Sequence, residues 1–328
     1  MDSILNQTYK NWECIVIDGY STDSTVEYIK ERTIGDERFK IFQYPAKGVY
    51  DAWNKGIKHT KGEYIYIATS DDTMINEALE VLYNGLKLNP NCKIAHSKLT
   101  VIDDQSIPVT DKYAWNNYRC YRFFSNEFDN YHIRKTGLDF KLFGFSGNIY
   151  TSFTQLLIHH SLFRAVGPFP IDKGSVGDFV WLNQAVTLTE TLHIPENLAT
   201  WRIHKNQATQ NSLLDTEIHK EFLCKALKRA YVLAVKNNII KPSIFQRYLF
   251  LLPYRREQFY ISYYKRNTKV KQEKLKFYIK WLFKRPEIVF LHKFNNRFLK
   301  HYESPFDVTR AELLKQIQIL DDRNLKGH

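Results

Sequence analysis

Short apolar runs and amphipathic runs take turns along the first hundred residues of this chain, about every 12 to 15 residues. That rhythm limits the fold more than any other feature. Each candidate strand is followed by enough chain for a helix and a turn, as parallel neighbours in one sheet require. The run ECIVID at 13–18 is continuously apolar and is expected as a strand buried on both faces. It stops at Asp18-Gly19, and Ser21-Thr22-Asp23-Ser24 offers N-cap chemistry for a helix over 25–32. FKIFQY at 39–44 reads as the next strand, and Gly48 opens an amphipathic helix in which Val49, Ala52, Trp53 and Ile57 are apolar. Gly62 turns the chain into the strand YIYIA at 64–68, which is followed by TSDDT and a helix over 76–88. A further strand occupies 92–102, and the opening SILNQTY reads as the end of a helix. Together these predict an α/β domain, a mixed but mainly parallel, doubly wound sheet flanked by helices.

The rhythm breaks over about 103–150, an aromatic, polar and Gly-punctuated stretch that reads as an insertion or lid. Helices at 161–166 and 178–186 and strands near 191–194 and 199–204 complete the domain. From about Ser212 the pattern is helical, which places a domain boundary at 211/212 and a basic, mostly helical region over 212–328.

Charge divides the chain in the same way. Sixteen of the Lys and Arg residues fall between Lys241 and Lys300 against three acidic residues, a balance of +13, whereas the whole chain carries +12. Aromatics alternate with these cations through 255–300. Such a stretch can lie on an anionic membrane surface, or form a helical subdomain that packs its aromatics inward and solvates its charges. Binding to nucleic acid is disfavoured, because no recognised nucleic-acid module accompanies it. The four cysteines (Cys14, Cys92, Cys120, Cys224) have no metal-ligand spacing, the first twenty residues do not read as a signal peptide, and no apolar run reaches the roughly 20 residues needed to span a bilayer. A cytoplasmic location is expected, with peripheral attachment to the inner face of the cytoplasmic membrane if the basic stretch acts there.

The sharpest chemical signal is Thr69-Ser70-Asp71-Asp72, directly after YIYIA. Ligands of open α/β sheets bind beyond the carboxyl ends of strands. Adjacent carboxylates there repel each other unless a hard cation or hydrogen-bond donors neutralise them, and Mg²⁺ on one or two carboxylates plus substrate phosphates is a common arrangement. The plain alternative is a solvated turn that caps the next helix. Asp18 stands at another strand tip, where it can accept hydrogen bonds from a ribose or base. Asp178 follows a glycine-rich loop, GSVGDFVW, in a position suited to a general base. Arg202 and His204 end a strand in WRIHKNQATQ, where they can face a diphosphate or metal. Each also has a structural reading: helix caps for Asp18 and Asp178, a surface cation for Arg202, a packed core side chain for His204.

In order and spacing, SILNQTY, ECIVIDGYSTDST, KGVYDAWNKGI and GEYIYIATSDDT resemble glycosyltransferase family 2, with a weaker continuation through HHSLFRAVGPFP, GDFVW and WRIH. The KGVYDAWNKGI stretch is most similar to members that build bacterial surface polysaccharides. The resemblance implies a GT-A fold and an inverting, metal-dependent transfer of a hexosyl or N-acetylhexosaminyl group. The donor would be a UDP-, GDP- or dTDP-sugar and the acceptor a glycan or a lipid-linked molecule. It implies Asp178 as the catalytic base and Asp18, Ser21, Asp23, Asn54, Asp71 and Arg202 as donor-binding residues. Asp72 would hold Mn²⁺ or Mg²⁺, with His204 beside the metal.

This chain departs from the pattern in three ways. The family's opening strand, which pairs near the middle of the sheet, is absent, so its neighbours are expected to have unpaired backbone groups. Ala46 stands where relatives carry an acidic residue two positions before Gly48, and Gly177-Asp178 replaces an acidic pair. A sugar nucleotidyltransferase and an inactive, membrane-associated scaffold derived from a glycosyltransferase are the alternative functions.

Overall fold

The structure is a computed structural model that describes residues 1–109, 125–146, 149–171, 177–204, 228–240, 279, 283 and 314–320. The chain divides into two compact units, Met1–Phe222 with Arg310–His328, and Leu223–Thr309.

In the first unit, α1 (Asp2–Leu5) leads into β1 (Cys14–Asp18), α2 (Thr25–Arg32), β2 (Phe39–Gln43), α3 (Val49–His59), β3 (Tyr64–Tyr66), α4 (Ala78–Leu88) and β4 (Cys92–Ile102). The sequence predicts this alternation closely. Gly48 precedes α3 with φ of 94°, a conformation that side chains with a Cβ rarely adopt. Further on come β5 (His132–Arg134), α5 (Leu138–Ser146), β6 (Leu156–His159), α6 (His160–Val166), α7 (Gly177–Ala185), β7 (Glu190–Arg202) and β8 (Ile317–Ile319).

The strands form two sheets. β1 and β2 pair in parallel by themselves, and the remaining six follow the order β3-β6-β4-β7-β5-β8. Within that sheet β4 and β7 are parallel and the other pairings antiparallel. The sheet is therefore mixed, as expected, but with more antiparallel neighbours than the alternation suggests, because β5, β6 and β8 are three- and four-residue strands that insert beside the long ones. Among the described residues β1 pairs only with β2, and β3 only with β6, so the two sheets part between β1 and β3. Across the gap, the Glu13 carboxylate accepts hydrogen bonds from the amides of Lys61 and Gly62 and ties the start of β1 to the start of β3.

Two details of the second half differ from the expectations. The two strands near 191–194 and 199–204 are one strand, β7, paired with β4 through register shifts around Ser97–Leu99. The described second half of the 103–150 stretch is not a lid, because it supplies β5 between β7 and β8, followed by α5.

Helix α4 covers β4 and β7. Leu82 and Leu86 of the helix, Ala95 of β4 and Leu192 and Ile194 of β7 are all fully buried in one apolar cluster. Beside it, β4, β5 and β7 enclose a polar network in which His96, His132, Arg134, Asp139 and His193 are buried. Arg134 Nε donates to Asp139 Oδ1 at 2.6 Å, and the Tyr150 hydroxyl donates to Asp139 Oδ2. His132 Nδ1 faces the carbonyls of Glu127 and Asn130, His193 Nε2 faces that of Phe128, and His96 and His193 meet through their Nδ1 atoms at 3.2 Å. These partners suit neutral imidazoles.

In the second unit the described residues form a helical stretch at 228–236, with Ala230, Tyr231 and Ala234 buried. Of the basic stretch 241–300, only residues 279 and 283 are among those described, so the readings placed on it lie outside the described residues. Among the described residues no helix is long and apolar enough to cross a membrane.

Candidate active site

Asp18 ends β1 and is buried. The Ser21 amide donates to its Oδ2 at 3.1 Å, the Ser21 hydroxyl to Oδ1, and Gln43 Nε2 to Oδ2 at 2.9 Å. Gln43 and Ser21 hold this carboxyl below the ordinary carboxylate range. Ser21 therefore orients Asp18. Asp23 is exposed, and its Oδ1 accepts the Thr25 amide at 3.1 Å at the start of α2. The N-cap of α2 is Ser24, whose side chain makes no capping bond, so this Asp23 turn stands in place of the N-cap chemistry expected of Ser21-Thr22-Asp23-Ser24.

The turn after β3 is fastened to the far end of β7. Thr73 and Thr200 exchange backbone and hydroxyl hydrogen bonds, Ile75 N donates to Leu198 O, and Met74 bridges to Ala199. The Arg202 amide then donates to Asp72 Oδ1 at 2.7 Å, although 130 residues separate the two. Arg202 Nε donates to the Asp71 carbonyl at 2.9 Å and Nη1 to the Asp103 carbonyl at 2.7 Å, so the guanidinium braces the turn. Asp72 Oδ2 accepts Thr69 Oγ1 at 2.7 Å and Ser152 Oγ at 3.4 Å. His204 Nε2 lies 3.3 Å from Asp71 Oδ2, and both side chains are about one-third exposed (32% and 38%). The imidazole thus faces Asp71, whereas the sequence reading places it beside the Asp72 metal. Burial raises the Asp72 carboxyl, and the adjacent Asp71 charge adds to the rise.

Asp178 stands in the first turn of α7. Its Oδ1 accepts the Phe179 amide at 2.6 Å and the Tyr50 hydroxyl at 3.1 Å. Burial raises this carboxyl, and those two bonds oppose the rise. An aromatic chain joins it to the Asp71-Asp72 turn: Tyr50 and Trp53 lie 5.3 Å apart, Trp53 and Phe153 5.1 Å, and Ser152 next to Phe153 meets Asp72.

Asn54 departs from its expected role as a donor contact. Its Oδ1 accepts the Phe169 amide and its Nδ2 donates to the Phe169 carbonyl, both at 2.8 Å, so the amide clamps the segment that precedes α7.

Residues 1–155 match the family model for glycosyl transferase family 2. The matched segment contains Asp18 and the Asp71-Asp72 turn, while Asp178, Arg202 and His204 lie beyond it. Over 219 residues the chain is 27% identical to the glycosyltransferase GlyA of Streptococcus pneumoniae serotype 4, covering 64% of this chain and 29% of GlyA. It is 34% identical over 109 residues to the Escherichia coli UDP-Glc:alpha-D-GlcNAc-diphosphoundecaprenol beta-1,3-glucosyltransferase WfgD, covering 33% of this chain and 42% of WfgD. The chain thus spans less than half the length of these curated relatives. Among solved structures it resembles Staphylococcus aureus TarS 1-349, with TM-score 0.55 and 14% identity over 84% of this chain and 72% of that one. That likeness carries the fold, which is GT-A.

Family 2 enzymes commonly use a divalent cation. The residues present fit one: two adjacent carboxylates with an imidazole 3.3 Å from Asp71, and a half-buried Asp72 whose carboxyl is raised by burial and by the neighbouring Asp71 charge. Among the described residues no three His, Cys, Asp or Glu side chains surround one point, so the protein would supply only part of such an ion's coordination. Three supporting contacts escape the sequence reading: Gln43 on Asp18, Ser152 on Asp72 and Tyr50 on Asp178. Ser152 was accessible as the first residue of a capping box closed by Gln155.

Proposed function

We propose that this chain transfers a hexosyl or N-acetylhexosaminyl group from a nucleotide-sugar donor to a glycan or lipid-linked acceptor, with inversion at the anomeric carbon, in the building of a bacterial surface polysaccharide. The bond from the Arg202 amide to Asp72 carries this reading, because it joins the Asp71-Asp72 turn to Arg202 and His204 as one element at a strand end. Asp18, held by Ser21 and Gln43, receives the nucleoside hydroxyls. Asp72, with Asp71 and His204 beside it, holds the cation, and this mixed oxygen and nitrogen set suits Mn²⁺ better than Mg²⁺. When bound, the ion offsets the charge that develops on the departing diphosphate.

Asp178 accepts the proton of the acceptor hydroxyl as that oxygen bonds to the anomeric carbon and the bond to the diphosphate breaks. Its raised carboxyl strengthens it as a base once ionised. GlyA and WfgD are named as glycosyltransferases, and the WfgD name specifies a lipid-linked acceptor. The basic stretch 241–300 would hold the chain against an anionic membrane, a reading tested by flotation with anionic liposomes before and after its deletion.

The decisive assay follows nucleoside diphosphate release from UDP-GlcNAc, UDP-glucose and GDP-mannose with Mn²⁺. Release that stops with chelator and with Asp72→Ala supports the proposal. Release indifferent to both defeats it.

A further inference from the structure

Tyr50 has no part in the family resemblance beyond its place in KGVYDAWNKGI, yet it is 7% exposed and directs its hydroxyl at Asp178. Two hydrogen bonds to that carboxylate, from Tyr50 Oη and from the Phe179 amide, fall on Oδ1. Among the described residues no other side chain donates to Oδ2.

The approach of Tyr50 depends on Gly177. A Cβ at that position would stand 2.7 Å from Tyr50 Cδ2, 2.8 Å from Tyr50 Cε2 and 2.8 Å from the Pro170 carbonyl. Contacts this short are closer than real Cβ atoms make, and neither a packed ring nor a backbone carbonyl yields easily. An acidic pair at 177–178 is therefore incompatible with Tyr50 in this place. The departure from the family pattern at Gly177 and the hydroxyl on Asp178 are two sides of one arrangement. Trp53 at 5.3 Å and Phe169 at 6.0 Å, the latter clamped by Asn54, fix the Tyr50 ring.

We propose that Tyr50 is a positioning residue for Asp178: by anchoring Oδ1 in the space that Gly177 leaves, it presents Oδ2 as the proton-accepting oxygen. This rests on the reading of Asp178 as the base. The consequence for pH follows from the geometry. The Tyr50 hydroxyl favours the ionised carboxylate, so its loss adds to the rise that burial already causes. The other ionisable groups on helices packed against α7 are engaged elsewhere or stand apart: Asp51 pairs with Lys55 on α3, and Asp139 with Arg134 and Lys141 with Gln316 on α5. On α6, His160 meets the Gly62 carbonyl, and Arg164 lies in the last turn.

The test uses the full chain with Asp side chains labelled by ¹³C at the carboxyl, the Asp178 signal being assigned by its loss in Asp178→Asn. In Tyr50→Phe the Asp178 titration midpoint should move up. Under saturating donor with Mn²⁺, the acid limb of nucleoside diphosphate release should move up with it, and turnover should fall on the order of tenfold. Gly177→Ala, which keeps the hydroxyl but displaces the ring, should move the midpoint the same way and serves if Tyr50→Phe does not fold. A midpoint unchanged or lowered in the folded variant overturns the proposal. The reading of Asp178 as base fails separately, if Asp178→Asn releases nucleoside diphosphate at the parent rate.

Discussion

Two sets of ionisable side chains stand out in the first unit. One, at the end of β1, in the turn after β3, at and just beyond the end of β7 and in the first turn of α7, consists of Asp18, Asp71, Asp72, Asp178, Arg202 and His204. The other, inside the sheet, consists of His96, His132, Arg134, Asp139, Tyr150 and His193. Both hold carboxylates next to cations or imidazoles, and they differ in how far those groups are satisfied. In the inner cluster Arg134 and Asp139 are 0% and 2% exposed and bond to each other, and the histidines close on carbonyls and on one another. In the other set Asp71 and His204 are partly exposed, and among the described residues the side-chain bond to Asp178, from Tyr50, falls on one oxygen. A closed network fixes strands, whereas an open one has capacity left for a ligand. Burial alone does not separate structural from functional polar groups; unused bonding capacity does.

The sharpest break of this comparison is by deletion. Arg134→Met leaves Asp139 buried without its cation and should cost about 3–5 kcal/mol, read from urea unfolding. Asp72→Ala should leave the urea midpoint nearly unchanged, because it removes a half-buried carboxyl whose charge its surroundings already disfavour. It should lower nucleoside diphosphate release about 10³-fold, as loss of a site that offsets several kcal/mol of developing charge implies. If Asp72→Ala unfolds the chain as Arg134→Met does, the two clusters are not different in kind.

Acid sharpens the same contrast, because the inner histidines and the carboxyls of Asp72 and Asp178 respond with opposite signs. Burial, and next to it the Arg134 charge, lowers His132 to about 3, and burial holds His96 and His193 well below the ordinary imidazole value. Below about pH 6.5 the unfolded chain takes up three protons that the folded network refuses. Stability is therefore lost as pH falls through the ordinary imidazole range. Asp72 and Asp178 act the other way, since a raised folded carboxyl binds protons before its unfolded counterpart and gains stability on acidification. Urea unfolding at pH 7.5, 6.5 and 5.5 should therefore show a falling midpoint. His132→Gln should flatten that fall.

The strand ends were also the part most legible in sequence. ECIVID, FKIFQY and YIYIA are long enough and apolar enough to identify, and the turns that follow them carry short polar residues with few structural uses. The inner cluster was invisible for the converse reason. HIR at 132–134 and IQI at 317–319 are three-residue strands with polar members, indistinguishable from loop until HIR pairs with β7 on one side and with IQI on the other. His96 and His193 lie in runs otherwise read as apolar strands, and nothing local shows that the two rings meet. The partners of the site residues were hidden likewise, since Ser152 reaches Asp72 across 80 positions and Tyr50 reaches Asp178 across 128.

Asn54 gives the smallest effect and the narrowest discrimination. The family resemblance assigns it to the donor, but its amide closes a two-bond ring with the Phe169 backbone at 2.8 Å on each side. Phe169 is 1% exposed and stacks against Tyr50 and Trp181, so its amide and carbonyl have no ready replacement in water. Asn54→Ala should then cost about 1–3 kcal/mol in stability, through backbone groups left without partners. The donor dissociation constant, measured calorimetrically with UDP-GlcNAc, UDP-glucose or GDP-mannose, whichever binds the parent chain, should stay unchanged. Ser21→Ala, which frees an oxygen of Asp18, should show the reverse, weakening the donor while moving the urea midpoint little. An Asn54→Ala variant that loses donor affinity with no loss of stability would return Asn54 to the open cluster.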